Sequence, residues 1–291
     1  MIRHDRLDMA QVLAVQGDVR HGFSYNCTFN HDFARITGLA ASSNGNIVLC
    51  DHNNKTLILV DNIGNYITKL NVDSEPYDVA ITSQNVGYIT QPNTRSVLQI
   101  DPERMVVLSK NTCNHLRTTI TSTVKGSSSL VVNVNGCSYI HAYYNISTIG
   151  DKTAYTSVGY NIFSIGAGVV KTHTVDGQTF FSCTVGSNDI LVGKKAVKAP
   201  YNHDYRGEKL SSITTIKTPT DICSDDNKHL YVSGQGSNNI HRLTQEGKVI
   251  DIPLHSKHGL KEPVAVCFNQ NYTKLYIVNE WGKTVLVFDV Y

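Results

Sequence analysis

A chain of 291 residues, 41% hydrophobic and 17% charged, has ample material for a globular core, which argues against extended disorder. Its formal net charge of +2 excludes the strong basic bias of a dedicated binder of double-stranded DNA, so any nucleic-acid contact must be a local patch. No apolar run approaches the roughly 18 residues of a helical membrane span.

The first twenty residues, "MIRHDRLDMAQVLAVQGDVR", lack the apolar centre of a signal peptide and read as an extension with room for a short helix. A cytoplasmic, soluble protein without membrane contact is expected, with one domain over 21–291. "GFSYNCTF", from Gly22, is strand-like. From Ile36 comes "ITGLAASSNGNIVLCDHNNKTLILVDNIGNYITKLNV", in which short apolar strands alternate with Asn- and Gly-containing turns. "PYDVAITSQNVGYITQPNTRSVLQIDPERMVVL" repeats the pattern from Pro76. Between about 114 and 217 the repeat is degraded, although "SSLVVNVNGCSYIHAYYN" and "QTFFSCTVGSNDILVGKK" each read as two strands around a turn. Clear copies return at Pro219, "PTDICSDDNKHLYVSGQGSNNIHRLTQEGKVIDI", and Pro263, "PVAVCFNQNYTKLYIVNEWGKTVLVFDVY".

The intervals give the count. The first two copies start 40 residues apart (76 − 36) and the last two 44 apart (263 − 219). The 143 residues between Pro76 and Pro219 hold three units of about 48. Six short antiparallel meanders predict an all-β, six-bladed β-propeller. The last copy stops at Tyr291 after three strands, so "GFSYNCTF" is expected to supply the fourth strand of that blade and close the ring.

"DHNNK", beginning at Asp51, sets an acid, an imidazole and two amides side by side. The same place in the other copies holds Gln91, Ser233 and Asn279, so these residues are expected to be turn chemistry and not a catalytic cluster. The seven cysteines, with Cys27 and Cys50 the closest pair at 23 residues, form no CxxC pair and read as small buried hydrophobes in a reducing compartment. Sequons at Asn26, Asn54, Asn145 and Asn271 carry little weight beside them. His31, His115, His141, His173, His203, His229, His241, His255 and His258 are scattered without metal-ligand spacing, so no metal and no cofactor are expected. Metal-dependent hydrolases and lyases built on six-bladed propellers form the enzymatic alternative, since a ring can assemble a site from separate blades.

At "ITGLAASSNGNIVLCDHNNKTLILVD" and "EPVAVCFNQNYTKLYIVNEWGKTVLVFD" the sequence resembles the NHL repeat, and it looks most like the C-terminal propellers of tripartite-motif proteins, particularly divergent invertebrate ones. The resemblance is good over roughly 27–112 and 218–291. It implies a non-catalytic recognition module that binds a protein target, such as a substrate recruited for ubiquitination, or alternatively single-stranded RNA. Ligase chemistry, which in such proteins belongs to an N-terminal RING, is expected to lie outside these residues, where no zinc-ligand spacing and no heptad pattern occur.

In a four-stranded blade the turn between the second and third strands opens on the same face as the connection into the next blade. One face is therefore expected to gather His52, Lys55, Arg95, Trp281 and Lys283 from turns, with Arg35, Tyr77, Arg117, Lys217 and Lys261 from or near connections. Trp281 among cations suits a stacked base or a protein anchor, or else a lid on the core. A second candidate is "GKKAVKAPYNHDYRGEK", from Gly193, read as a polar insertion. There Lys194, Lys195, Lys198 and Arg206 interleave with Tyr201, His203 and Tyr205, which fits unpaired nucleic acid or a solvated loop.

Overall fold

The second strands of the clear repeats are apolar runs, "IVLC", "GYIT", "LYVS" and "LYIV", and a strand with no polar face needs cover on both sides. The structure is a computed structural model. It describes residues 20–291 except 83, 95, 113–119, 122–129, 134–138, 144–146, 150–151, 155–156, 162–169, 176–177, 186–188, 196–206, 214 and 245–246. Asn111 and the strands from 120 to 213 are described as backbone alone.

Among the described residues, every strand pairs antiparallel. The Ile36 sheet runs Ile36–Ala41, Ile47–Asp51, Thr56–Val60, Tyr66–Asn71, and the Val79 sheet runs Val79–Ile81, Gly87–Gln91, Ser96–Asp101, Val106–Thr112. Next come Ile120–Thr121, Leu130–Asn133, Tyr139–Tyr143 and Ser157–Asn161, with the hairpin Ser147–Ile149/Lys152–Ala154 inserted before the last, and then Val170–Val175, Gln178–Val185, Asp189–Lys195 and Gly207–Ile213. The Pro219 sheet runs Pro219–Ser224, Leu230–Gly234, Asn239–Leu243, Val249–His255. The Ala265 sheet holds Ala265–Phe268, Lys274–Asn279 and Thr284–Val290, and Phe23–Phe29 joins it as the outer strand. The first strands of successive sheets are neighbours in space, from Ile36 through Val79, Ile120, Val170, Pro219 and Ala265 back to Ile36.

Period-two alternation then divides each middle strand between two interfaces. Ile47 and Leu49 face the Ala265 sheet, where they meet Tyr276, Val278, Val285 and Val287, while Val48 and Cys50 face Val79, Ile89, Leu98 and Ile100. On the far side of the Ala265 sheet, Leu275, Ile277, Leu286 and Phe288 pack on Tyr231, Ile240 and Leu254. Among the strands whose side chains are described, the outermost ones are the most exposed to water, as Tyr66 and Ile67 illustrate.

Near the axis the inner strands touch directly. Thr37 Oγ1 donates to Tyr77 O at 2.6 Å, Thr220 Oγ1 to Pro263 O at 3.1 Å, and Val266 N to Asp221 Oδ2 at 2.9 Å. Gly38 is required here, because a Cβ would sit 2.7 Å from Asp78 Oδ1. Closure follows the expected strand. Phe23 to Phe29 pair with Val290 back to Val285, and Gly22 and Tyr291 exchange backbone hydrogen bonds.

Phe288 is 1% exposed and meets Tyr25 of the closing strand edge to face at 6.0 Å. Phe288→Ala is expected to cost about 3–5 kcal/mol in urea unfolding followed by circular dichroism. A loss below about 1 kcal/mol would contradict this packing.

Candidate binding face

The second strands of the Ile36, Val79 and Ala265 sheets end in the polar residues Asp51, Gln91 and Asn279, and the structure shows what each holds. Asp51 is fully buried; its Oδ2 accepts Ala34 N at 3.1 Å, its Oδ1 accepts Arg35 N at 3.0 Å, and Asn54 Nδ2 donates to Oδ2 at 2.9 Å. Two convergent N–H donors on adjacent residues match the two oxygens of one carboxylate. The Asp51–Asn54 cluster is therefore more than the local turn that the sequence suggests, since its acid reaches back 16 and 17 residues to pin the connection entering its own sheet. Gln91 does the same through Nε2 to Asp73 Oδ1 and Ser74 O. Asn279 accepts Lys261 N at 2.8 Å and donates to Gly259 O at 3.1 Å. In the Pro219 sheet the clamp is not Ser233 but Ser237, whose Oγ accepts Lys217 N at 3.0 Å.

In the Ile36, Pro219 and Ala265 sheets the turn also meets the connection entering the next sheet. Val72 N donates to Lys55 O, and Lys55 Nζ lies 3.2 Å from Glu75 Oε1. Glu75 also accepts hydrogen bonds from the Asn93 amide and the Ser74 hydroxyl; with its own backbone and Lys55 adding to these, and Asn93 contributing most, its carboxyl is held down to about 2. Glu262 N donates to Asn238 Oδ1 at 2.7 Å, and Trp281 N to Glu262 O at 3.2 Å. Among the described residues, the turns and connections of the Ile36, Pro219 and Ala265 sheets meet in a rim on one face.

Trp281 stands where two connections meet. Glu280, Trp281 and Gly282 take successive positive φ values of 50°, 58° and 96°, a conformation that costs non-glycine residues of order 1–2 kcal/mol each. Gly282 is pressed against the next connection, where a Cβ would lie 2.4 Å from Ile36 O. The indole is 46% exposed, with the Arg35 guanidinium 4.6 Å from its ring centroid. Lys283 Nζ donates to Ala34 O at 2.7 Å, and Lys261 Nζ lies 3.7 Å from Glu280.

Of the residues expected on this face, Arg35, His52, Lys55, Tyr77, Lys217, Lys261, Trp281 and Lys283 lie in these turns and connections. His52 is hydrogen-bonded to Asn53 and meets the Tyr77 ring edge-on at 6.2 Å. Lys55, half exposed, is engaged by Glu75. Arg95 and Arg117 lie outside the described residues, as do Lys198, Tyr201, His203, Tyr205 and Arg206. Lys194 and Lys195 correct the insertion reading: they belong to the strand Asp189–Lys195, opposite Glu208 and Gly207, so the connection starts after them. Sequence reasoning missed Glu75, Glu262 and Glu280, which temper the positive charge, and "HSKHG", which places His255, Lys257 and His258 on the same rim.

The histidines considered as metal ligands have other roles where they are described. His229 packs its ring nitrogen 3.1 Å from Asp225, which also accepts the Tyr231 hydroxyl. His241 is fully buried with Thr215 Oγ1 at 2.9 Å, and burial pushes its imidazole down to about 4. Among the described residues no group of three or more His, Cys, Asp or Glu side chains is set to hold a metal ion.

No protein-family model matches the chain, and no curated protein sequence matches it. Solved structures do. Virginiamycin B lyase from Staphylococcus aureus superposes with a TM-score of 0.62 at 14% identity, over 93% of this chain and 99% of that one. A gluconolactonase from Xanthomonas campestris gives 0.66 at 14%, over 98% and 94%. A Bacteroides thetaiotaomicron protein of unknown function gives 0.71 at 13%, over 94% and 76%. The chain is an all-β propeller. Identities this low carry the fold and not the chemistry. Among the described residues no helix is long and apolar enough to cross a membrane.

Asp51→Ala leaves two backbone N–H groups without their acceptor, and a loss of about 2–4 kcal/mol in unfolding free energy is expected, with Asp51→Asn losing less. Equal stability of Asp51→Ala and the parent would refute the clamp. For His241 the native imidazole takes up its proton at about 4 and the unfolded one near 6.5, so the unfolded chain binds more protons between those values. Stability is therefore full above pH 6.5 and falls as pH drops toward 4. Urea titrations should show a slope up to about 1.4 kcal/mol per pH unit steeper than in His241→Gln; parallel slopes would contradict a buried neutral ring.

Proposed function

We propose that the chain is a six-bladed, NHL-like propeller acting as a non-catalytic recognition module. In this reading the Trp281 face takes a protein partner that presents carboxylates, in the manner of the target-recruiting propellers of tripartite-motif proteins. Six four-stranded sheets whose inner strands neighbour one another in a closed order support the blade count. The observation that carries the function is Trp281, half exposed in a strained turn and backed by Arg35. Strain retained at a surface aromatic points to use, because nothing in core packing requires it. Beside it Arg35, Lys261 and Lys283 outnumber Glu262 and Glu280, which favours an acidic partner. The thiols Cys27, Cys223 and Cys267, none of them in a disulfide, accord with a cytoplasmic location.

Single-stranded RNA is the second reading, since an arginine-backed indole also stacks a base. The Lys55–Glu75 pair removes one phosphate contact from that account. The lyase and gluconolactonase among the similar structures mark a third, channel-based hydrolysis or elimination.

Fluorescence anisotropy with a labelled polyglutamate peptide and a labelled single-stranded polyuridylate tests these readings. Salt-sensitive binding of the peptide is expected, weakened about tenfold or more by Trp281→Ala, in the range of an interface hot spot. Tighter binding of polyuridylate would favour RNA, and binding of neither would contradict a recognition role for this face.

A further inference from the structure

Between strand Val249–His255 and the connection into the Ala265 sheet lies one short turn, Ser256–His258, closed by Gly259 at φ 88°. It is capped reciprocally by two imidazoles. His255 Nδ1 accepts Lys257 N at 3.3 Å, and His258 Nδ1 accepts His255 N at 3.2 Å. The rings stand edge to face with centroids 4.4 Å apart. A nitrogen that accepts an amide hydrogen needs its lone pair, so both rings are neutral with the proton on Nε2. Asn or Ser would cap such a turn without titrating near neutrality, whereas histidine at both positions makes the turn sensitive to protons.

The turn is tied to Trp281 through the Asn279 amide and through two backbone hydrogen bonds, Glu280 N to Lys261 O at 2.7 Å and Trp281 N to Glu262 O at 3.2 Å. Gly259 O accepts Asn279 Nδ2, and Lys261 N donates to Asn279 Oδ1. Asn279 opens the Glu280–Gly282 turn, so the histidine turn and the tryptophan turn share one support. The surroundings oppose added positive charge. Strand Asn239–Leu243 sets the uncharged Asn239 opposite His255, and the turn 235–238 holds no ionisable side chain. The connection brings Lys261 and Glu262, and the tryptophan turn brings Glu280 and Lys283, with Lys261 beside Glu280. The groups whose charge acts on His255 are His258 and Lys257; burial first, then these two, keep its imidazole below the usual value.

We propose that His255 and His258 form a proton-operated latch, closed when both rings are neutral, whose opening loosens residues 255–259 and, through Gly259 O on Asn279, changes the setting of Trp281. Protonating either ring replaces an acceptor with a donor aimed at an amide, and a second proton is opposed by the first and by Lys257. Because the folded value of His255 is depressed, its cap is closed above the ordinary imidazole value of about 6.5 and the latch opens as pH falls below it. The latch stands on its own hydrogen bonds, whatever partner the face takes.

Trp281 is the only tryptophan, so its fluorescence reads the latch directly. Between pH 7.5 and 5 the emission is expected to change reversibly with a midpoint below about 6.5, while far-ultraviolet circular dichroism stays constant. The double variant His255→Asn/His258→Asn should keep the pH 7.5 spectrum throughout, and Lys257→Glu, which alters neither hydrogen bond, should raise the midpoint. A flat wild-type emission, an unaltered transition in the double variant, or an unmoved midpoint in Lys257→Glu would each overturn the latch. Should the double variant lose its circular dichroism, Lys257→Glu decides alone.

Discussion

Covering both faces of every sheet is the constraint on which this molecule depends. Strands such as Ile47–Asp51 and Lys274–Asn279 have no polar side, so each sheet needs a neighbour in front and another behind. A stack with ends would leave two such faces in water. At roughly 1.5–3 kcal/mol for each large apolar side chain, exposing even the layer of Tyr276, Val278, Val285 and Val287 would approach the whole stability of a typical domain. Joining the last sheet to the first removes the ends, and the pairing of Phe23–Phe29 with Thr284–Val290 holds the chain termini at that junction.

The candidate face is a consequence of that closure. Among the described residues, stacking brings second-to-third-strand turns against the connections on either side, and the backbone groups there need partners. Asp51, Gln91, Asn279 and Ser237 supply them with four different side chains in one structural role. Once the backbone is satisfied by residues set back in the turn, the tips are free to vary, and Trp281, Lys283 and His52 occupy them. The Trp281 tip departs furthest from relaxed geometry, and it is wedged between the Lys261–Glu262 and Arg35–Ile36 connections.

Much of the fold was legible because its physical cause is local and repeated. Strand alternation, Asn and Gly turns and the near-constant interval all report on one repeat, and the missing fourth strand in the last copy pointed to "GFSYNCTF". The site was less legible because its determinants are long-range. Nothing near Asp51 in the sequence names Ala34 and Arg35 as its partners, and nothing near Lys55 shows Glu75 neutralising it from the next connection. Lys194 and Lys195 carried two readings in the sequence, the end of the strand in "NDILVGKK" and the start of a polar insertion, and the strand runs through both. "HSKHG" carried a readable signal, a glycine closing a histidine-flanked turn, but its meaning rests on ring geometry that spacing alone does not supply.

The central claim is that recognition belongs to the rim formed by the second-to-third-strand turns and the connections. Hydrogen–deuterium exchange of the chain with and without a bound polyglutamate peptide tests it most directly. Protection is expected at 34–36, 235–238, 255–262 and 280–283, the rim around Trp281. Protection instead at the turns on the opposite face, 42–46, 61–65 and 225–229, or no change anywhere at saturation, would contradict the account.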